Sequence, residues 1–120
     1  MAVLATLRKD GSVLLSPVCH EWRDGGFNIW VVEEDVKTRH IRRDGRATVA
    51  VAESEDPFRG VEVRGVAQLI DQDVFEVASR IMARYLGRDE GTAYVKALLG
   101  KHLIVRLEPG NFRAWDFSDE

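Results

Sequence analysis

A chain of 120 residues is long enough for one domain with its own core and for little else. Its 45% hydrophobic and 31% charged residues are the balance of an ordinary globular protein, and a net charge of -3 excludes general nucleic-acid binding, which needs a strongly basic domain. The single cysteine, Cys19, excludes an intrachain disulfide and a cysteine-built metal cage, and it fits a reducing cytoplasm.

Residues 1–7 are apolar but too short to cross a bilayer, and they lack the basic lead and cleavage pattern of a signal peptide. A cytoplasmic protein with no membrane partner is therefore expected. Within that segment, residues 3–7 read as a strand, and Asp10-Gly11 follows as a hairpin-turn dipeptide. Residues 12–22 resume as one strand, in which Pro17 marks an edge, a bend or a bulge. After the turn at Asp24-Gly25-Gly26, Phe27, Ile29 and Val31 alternate with Asn28, Trp30 and Val32, the period of a strand.

Asp35 is placed to cap a short helix over residues 36–43, which Asp44-Gly45 ends. Residues 48–52 form a β-rich apolar run, and residues 53–57 a polar loop. Residues 61–70 read as one long strand, with Val61, Val63, Ala67 and Leu69 on one face and Glu62, Arg64 and Gln68 on the other. Val74, Val77, Ala78, Ile81, Met82, Tyr85 and Leu86 fall on a single helical stripe. Asp73 and Glu76 stand before it as a capping-box-like pair, and Gly87 closes it. A second helix over residues 92–99 precedes strands at 102–107 and 111–117, joined through Pro109-Gly110.

The order β-β-β-α-β-β-α-α-β-β predicts an α+β, mainly β, antiparallel barrel with two or three short helices, in a single domain over residues 1–120. Strands and helices do not alternate regularly and no glycine-rich nucleotide loop occurs, so a doubly wound parallel sheet is not expected.

Lys37, Arg39, Arg42 and Arg43, with His40 among them and Arg46 beyond, put a cationic cluster on one short helix. Such a cluster near a helix start can hold a phosphate, because backbone N–H groups, helix dipole and side-chain charge all favour an anion. Composition alone favours a plainer reading, a solvated basic face balanced by Glu33, Glu34 and Asp35. Cys19 and His20 are adjacent on a strand and point to opposite faces, so they should not pair as a thiolate couple. His20, His40 and His102 are dispersed, which argues against a metal site. Trp22, Trp30 and Trp115 read first as core or interface residues.

Five segments are similar, in order and spacing, to those of one family: LATLRKDGS at 4–12, SPV at 16–18, KTRHIRRDGR at 37–46, VEVRG at 61–65 and FRAWDF at 112–117. Nearly the whole chain resembles the pyridoxamine 5′-phosphate oxidase-like family, and within it the actinobacterial branch that uses the deazaflavin coenzyme F-420. The resemblance implies an antiparallel split β-barrel (the FMN-binding split barrel), and a homodimer with its cofactor in the groove between subunits. It implies F-420, or alternatively FMN, as that cofactor. The activity implied is that of a flavin- or deazaflavin-dependent oxidoreductase moving a hydride between the reduced cofactor and a small unsaturated substrate. The cofactor would supply the chemistry, so no catalytic side chain is named.

By the same resemblance Lys37, with Thr38 beside it, helps hold the cofactor phosphate. Ser16, Pro17 and Val18 line the flavin ring. Val31 and Val32 end a strand whose backbone contacts the ring or phosphate, and Trp115 packs by the partner's cofactor. Three features depart from the pattern. His40 replaces an asparagine, Trp30 and Val31 stand where small hydroxyl residues are common, and Glu33-Glu34-Asp35 brings negative charge to the proposed anion site. Fold does not dictate function, so a non-catalytic flavin, deazaflavin or haem carrier is the alternative, and a dimer whose groove has lost its ligand a third reading.

Overall fold

The chain begins with two hairpins. In the computed structural model, which describes residues 1–98 and 100–116, β1 (Ala2–Leu7) and β2 (Val13–Val18) pair antiparallel. Gly11 turns the chain between them at φ +86°, where an L side chain would be strained. The second hairpin joins β3 (His20–Arg23) to β4 (Gly26–Val32) through Asp24 and Gly25. Both turn residues have positive φ, as the two-residue turn that matches strand twist requires. There follow α1 (Val36–Arg43), β5 (Arg46–Ala52), β6 (Gly60–Val66), β7 (Gln68–Ile70), α2 (Val74–Leu86), α3 (Arg88–Ala97), β8 (His102–Leu107) and β9 (Asn111–Trp115).

The strands form two antiparallel sheets, ordered β2-β1-β5-β6-β9 and β3-β4-β8-β7. Leu4, Val49 and Val63 from the first sheet meet Ile29, Val105 and Leu107 from the second in one buried cluster, and Ile41 of α1 joins it. This is the expected α+β antiparallel barrel. The helical pair α2–α3 covers the outer face of the second sheet, where Ala78, Ile81, Met82 and Val95 pack around Trp30. The outer face of the first sheet has no such cover among the described residues, and Val3, Val13, Leu15 and Val66 stand exposed on it.

Several expected elements need correction. Residues 12–22 are two strands broken at Cys19, and residues 61–70 are two strands broken at Ala67. At each break the chain passes from the first sheet to the second. The inside–outside alternation continues through both breaks, so periodicity alone does not reveal them. Ala67 instead gives its N–H to Gly45 O at 2.7 Å, leaving the ladder there. Pro17 does lie on an edge strand, as its missing donor requires.

The second helix starts at Arg88 rather than residue 92. Gly91 discourages a helix by propensity, yet a Cβ there would lie 2.7 Å from Ala83 N, so the glycine is what lets α3 lie against α2. Asp73 and Glu76 form no capping box, because Asp73 sits in the left-handed region at φ 54° and its side chain makes no cap hydrogen bond. Asp35 is the N-cap residue of α1, but its carboxylate does not cap either. The expected ends at Leu99 and Phe117, and the last residue of the 112–117 segment, lie outside the described residues.

Helix α2 also seals an edge. Tyr85 Oη accepts the His20 N–H at 3.2 Å, and Arg84 donates to His20 O, so both backbone groups of this β3 residue are satisfied. Behind that edge, Glu21 is buried and receives Arg80 at 2.8 and 2.6 Å and Asn28 at 2.8 Å.

Candidate functional site

The end of β4 and the start of α1 bring Val31, Val32, Lys37 and Thr38 together. Glu33 N–H bonds Lys101 O, so by the alternation of an antiparallel ladder the Val32 N–H faces away from β8. On that side β3 pairs no further than His20, opposite Ile29, which leaves Val32 N–H without a strand partner. It reaches Asp35 Oδ2 at 3.4 Å, and the Lys37 ammonium reaches the same oxygen at 3.0 Å. Thr38 is fully buried, and its hydroxyl donates to Val32 O at 2.8 Å. Val31 points into the core.

The residues Ser16, Pro17 and Val18 end β2 just before the chain crosses to β3. The β3–β4 register starts at His20 opposite Ile29, so this stretch leaves its sheet beside the last residues of β4. Val18 is buried, whereas Pro17 is on the open outer face opposite Val3. Trp115 is elsewhere. It sits on β9, separated from β2 by β1, β5 and β6, which is roughly 19 Å along the sheet at ~4.8 Å per strand. Its indole N–H donates to Phe58 O at 3.0 Å and Arg113 stacks on its ring. Among the described residues it makes no hydrogen bond or ring contact with the other candidate residues of its own chain.

The cations of the helix are largely engaged at home. Arg42 pairs with Glu33 at 2.8 Å, and Arg43 donates to Leu7 O at 2.5 Å. Arg46 grips Asp44, which lowers that carboxyl to about 2. Among the described residues, Arg39 has no ion-pair partner. The sequence pattern shows acids flanking cations, but not that these acids fold back onto them.

His40 is a structural residue. It is buried and shares a 2.9 Å hydrogen bond with the buried hydroxyl of Thr6, tying α1 to β1. Burial, and then the nearby charges of Arg43, Arg8 and Arg39, lower its pKa below the ordinary histidine value. His20 is lowered too, by burial, by Arg84 and by the N-terminus. Tyr85 Oη lies 3.0 Å from its Nδ1 and also accepts its backbone N–H, so one phenol ties ring and backbone of His20 to α2. Because both values are lowered on folding, the unfolded chain binds more protons than the folded one as pH falls below about 6.5. Stability should be complete above that value and fall as pH drops through it. Urea midpoints measured between about pH 7.5 and about pH 5.5 should decline, and His40→Asn should flatten the decline. An unchanged slope in that variant would remove His40 as a cause.

Cys19 packs against the α2–α3 cluster, and burial raises its thiol above the ordinary value, so it is a poor nucleophile. Among the described residues no group of three or more His, Cys, Asp or Glu is arranged to hold a metal, and no helix is long and apolar enough to cross a membrane.

Comparison with known proteins supplies a frame for this geometry. A sequence-family model described as pyridoxamine 5′-phosphate oxidase matches residues 1–116. No curated protein matches the chain significantly. Among solved structures, a conserved hypothetical protein from Mycobacterium tuberculosis is 26% identical, with a TM-score of 0.84 over 98% of this chain and 77% of that one. A protein described as an F420 reductase is 20% identical, with a TM-score of 0.67 over 93% and 87%. The haem storage protein HutZ from Vibrio cholerae is 16% identical, with a TM-score of 0.73 over 96% and 84%. The last two likenesses establish a shared fold.

Proposed function

Because the chain belongs to the pyridoxamine 5′-phosphate oxidase family, we propose that it binds a flavin-type cofactor, F-420 in preference to FMN, and acts as an oxidoreductase on a small unsaturated substrate. The observation that carries this reading is the convergence of Val32 N–H and Lys37 Nζ on one carboxylate oxygen. A backbone donor and an ammonium aimed at one anionic oxygen are the donor set a phosphate needs. The cofactor, when bound, supplies the hydride chemistry. Lys37 and the Val32 N–H would hold its phosphate, Thr38 fixes the Val32 peptide through its carbonyl, and Ser16, Pro17 and Val18 would flank the ring.

The site is completed by a second copy of the chain. Trp115 stands four strands from Ser16–Val18 in its own sheet and would approach them from another subunit, and the open apolar face of the five-stranded sheet offers the surface for a homodimer. The preference for F-420 rests on the motif over residues 37–46 and on the longer anionic tail that such a cation row can meet. The likeness to the F420 reductase lends it weight.

Titration of the protein with F-420 and with FMN, in one buffer at low and high salt, tests the assignment. F-420 should bind more tightly, and its affinity should fall as salt rises, since exposed charge contacts are screened within about 10 Å at 0.1 M. Tighter FMN binding at both salt levels would transfer the assignment to FMN. Lys37→Ala should weaken binding by about tenfold or more, the worth of one charge-assisted contact, and Arg43→Ala by less. Equal losses would indicate a diffuse basic surface. The second reading, a non-catalytic carrier of flavin, deazaflavin or haem, is favoured by the internal pairing of Lys37, Arg42 and Arg46. Likeness to the haem storage protein accords with it, and absence of turnover with saturating reduced cofactor would select it.

A further inference from the structure

The candidate anion site already faces an anion that belongs to the chain. Asp35 stands at the N-cap of α1 with extended backbone, φ −62° and ψ 146°, where an aspartate ordinarily turns its carboxylate onto the first helical N–H groups. Its side chain makes no such bond. Its carbonyl accepts the Thr38 and Arg39 N–H groups, while Oδ2 turns toward β4 and takes Val32 N–H and Lys37 Nζ. Glu33 cannot stand in for it, being committed to Arg42.

We propose that Asp35 is a specificity-determining residue, an internal competitor that occupies the two donors a cofactor phosphate would use and so suppresses the preference for phosphorylated over phosphate-free cofactor. The inference rests on the reading that a flavin-type cofactor binds here. The carboxylate has two places to go. In one it pairs with Lys37 and accepts the Val32 N–H; in the other, reached by side-chain rotation, it caps α1 and leaves both donors to the ligand. An anionic cofactor must drive that exchange and lie beside the displaced charge. A phosphate-free cofactor need not.

The test compares wild type with Asp35→Asn and Asp35→Ser, both of which keep a residue able to cap the helix. Each protein is titrated with FMN and riboflavin, and with F-420 and the same deazaflavin lacking its phosphodiester tail, by fluorescence quenching. Removing a unit charge a few ångströms from a bound phosphate, at a partly solvated site, should raise affinity for the phosphorylated member of each pair by about tenfold. Affinity for the phosphate-free member should stay within about twofold, so the ratio carries the result. Adding Lys37→Ala to Asp35→Asn should cancel the gain. If cofactor binds but both single variants leave the ratio unchanged or lower it, with circular dichroism unaltered, Asp35 is not the competitor and the cofactor reading stands. If neither wild type nor any variant binds a flavin or deazaflavin, the cofactor reading fails and this proposal with it.

Discussion

Glu21→Ala should lower the unfolding free energy by about 3 kcal/mol, measured by urea denaturation at neutral pH and fixed protein concentration. Glu21 is 5% exposed, yet it carries a charge that Arg80 meets with two hydrogen bonds and Asn28 with a third. Arg106 holds the other side of the Asn28 amide at 3.1 Å, so one carboxylate anchors a network joining α2, β3, β4 and β8. Its removal strands a guanidinium and an amide proton. Arg80 is 31% exposed and can recover some hydration, which puts the cost at the low end of the range for broken buried pairs. Burial alone would raise the Glu21 pKa, but the Arg80 and Asn28 bonds outweigh it and hold it below the ordinary value. Its contribution is therefore present above about pH 4.5 and lost as pH falls through the lowered value. Replacing Glu21 and Arg80 together by methionine should recover most of the loss, because no uncompensated charge remains. A loss under about 1 kcal/mol for Glu21→Ala would mean that the network carries little of the fold's stability.

Leu15→Glu should dissociate the proposed homodimer, weakening self-association by at least about 100-fold, since an unpaired charge would have to be buried in an apolar contact. Leu15 is 64% exposed on the uncovered sheet face, midway along the edge strand β2, opposite Ala5 and flanked by Val13 and Pro17. Light scattering at micromolar concentration should give twice the 13.6 kDa chain mass for wild type and a single chain mass for the variant. Phe75→Glu is the control: Phe75 is also exposed, but on α2, far from that face, and its replacement should leave the dimer whole. A monomeric wild type would end the two-subunit site. A dimer that survives Leu15→Glu but not Phe75→Glu would move the contact to the helical side.

The strand and helix content is legible in the sequence because both periods are written locally. Val74 through Leu86 and Phe27 through Val32 lie close to where their patterns put them. The corners at Cys19 and Ala67 are not legible, because changing sheets alters which strands a segment meets and not which face is buried. For the site, Val32, Lys37 and Thr38 do converge, and the flanking acids are plain in the sequence. The direction of Asp35 is not, since an N-cap aspartate ordinarily turns onto its own helix and here the Val32 amide and the Lys37 ammonium draw it toward β4. The pairs Glu21–Arg80 and Thr6–His40 join residues 59 and 34 positions apart, and nothing local to either partner encodes the other.

The place of β8 also has a consequence in time. It lies inside its sheet, between β4 and β7, with Val32 opposite His102 and Phe27 opposite Leu107, separations of 70 and 80 residues. A ribosome adding about 5–20 residues per second needs roughly 4–14 s to travel from β4 to β8. For that interval β4 can pair only with β3, and Ile29 and Val31 lack the strand that completes their layer. The first sheet has β1, β2, β5 and β6 much sooner, and these strands can pair with one another while synthesis continues. The five-stranded side can thus pair most of its strands first, while the inner faces of both sheets, Ile29 and Val31 with Leu4, Val49 and Val63, wait for Val105 and Leu107 to be covered.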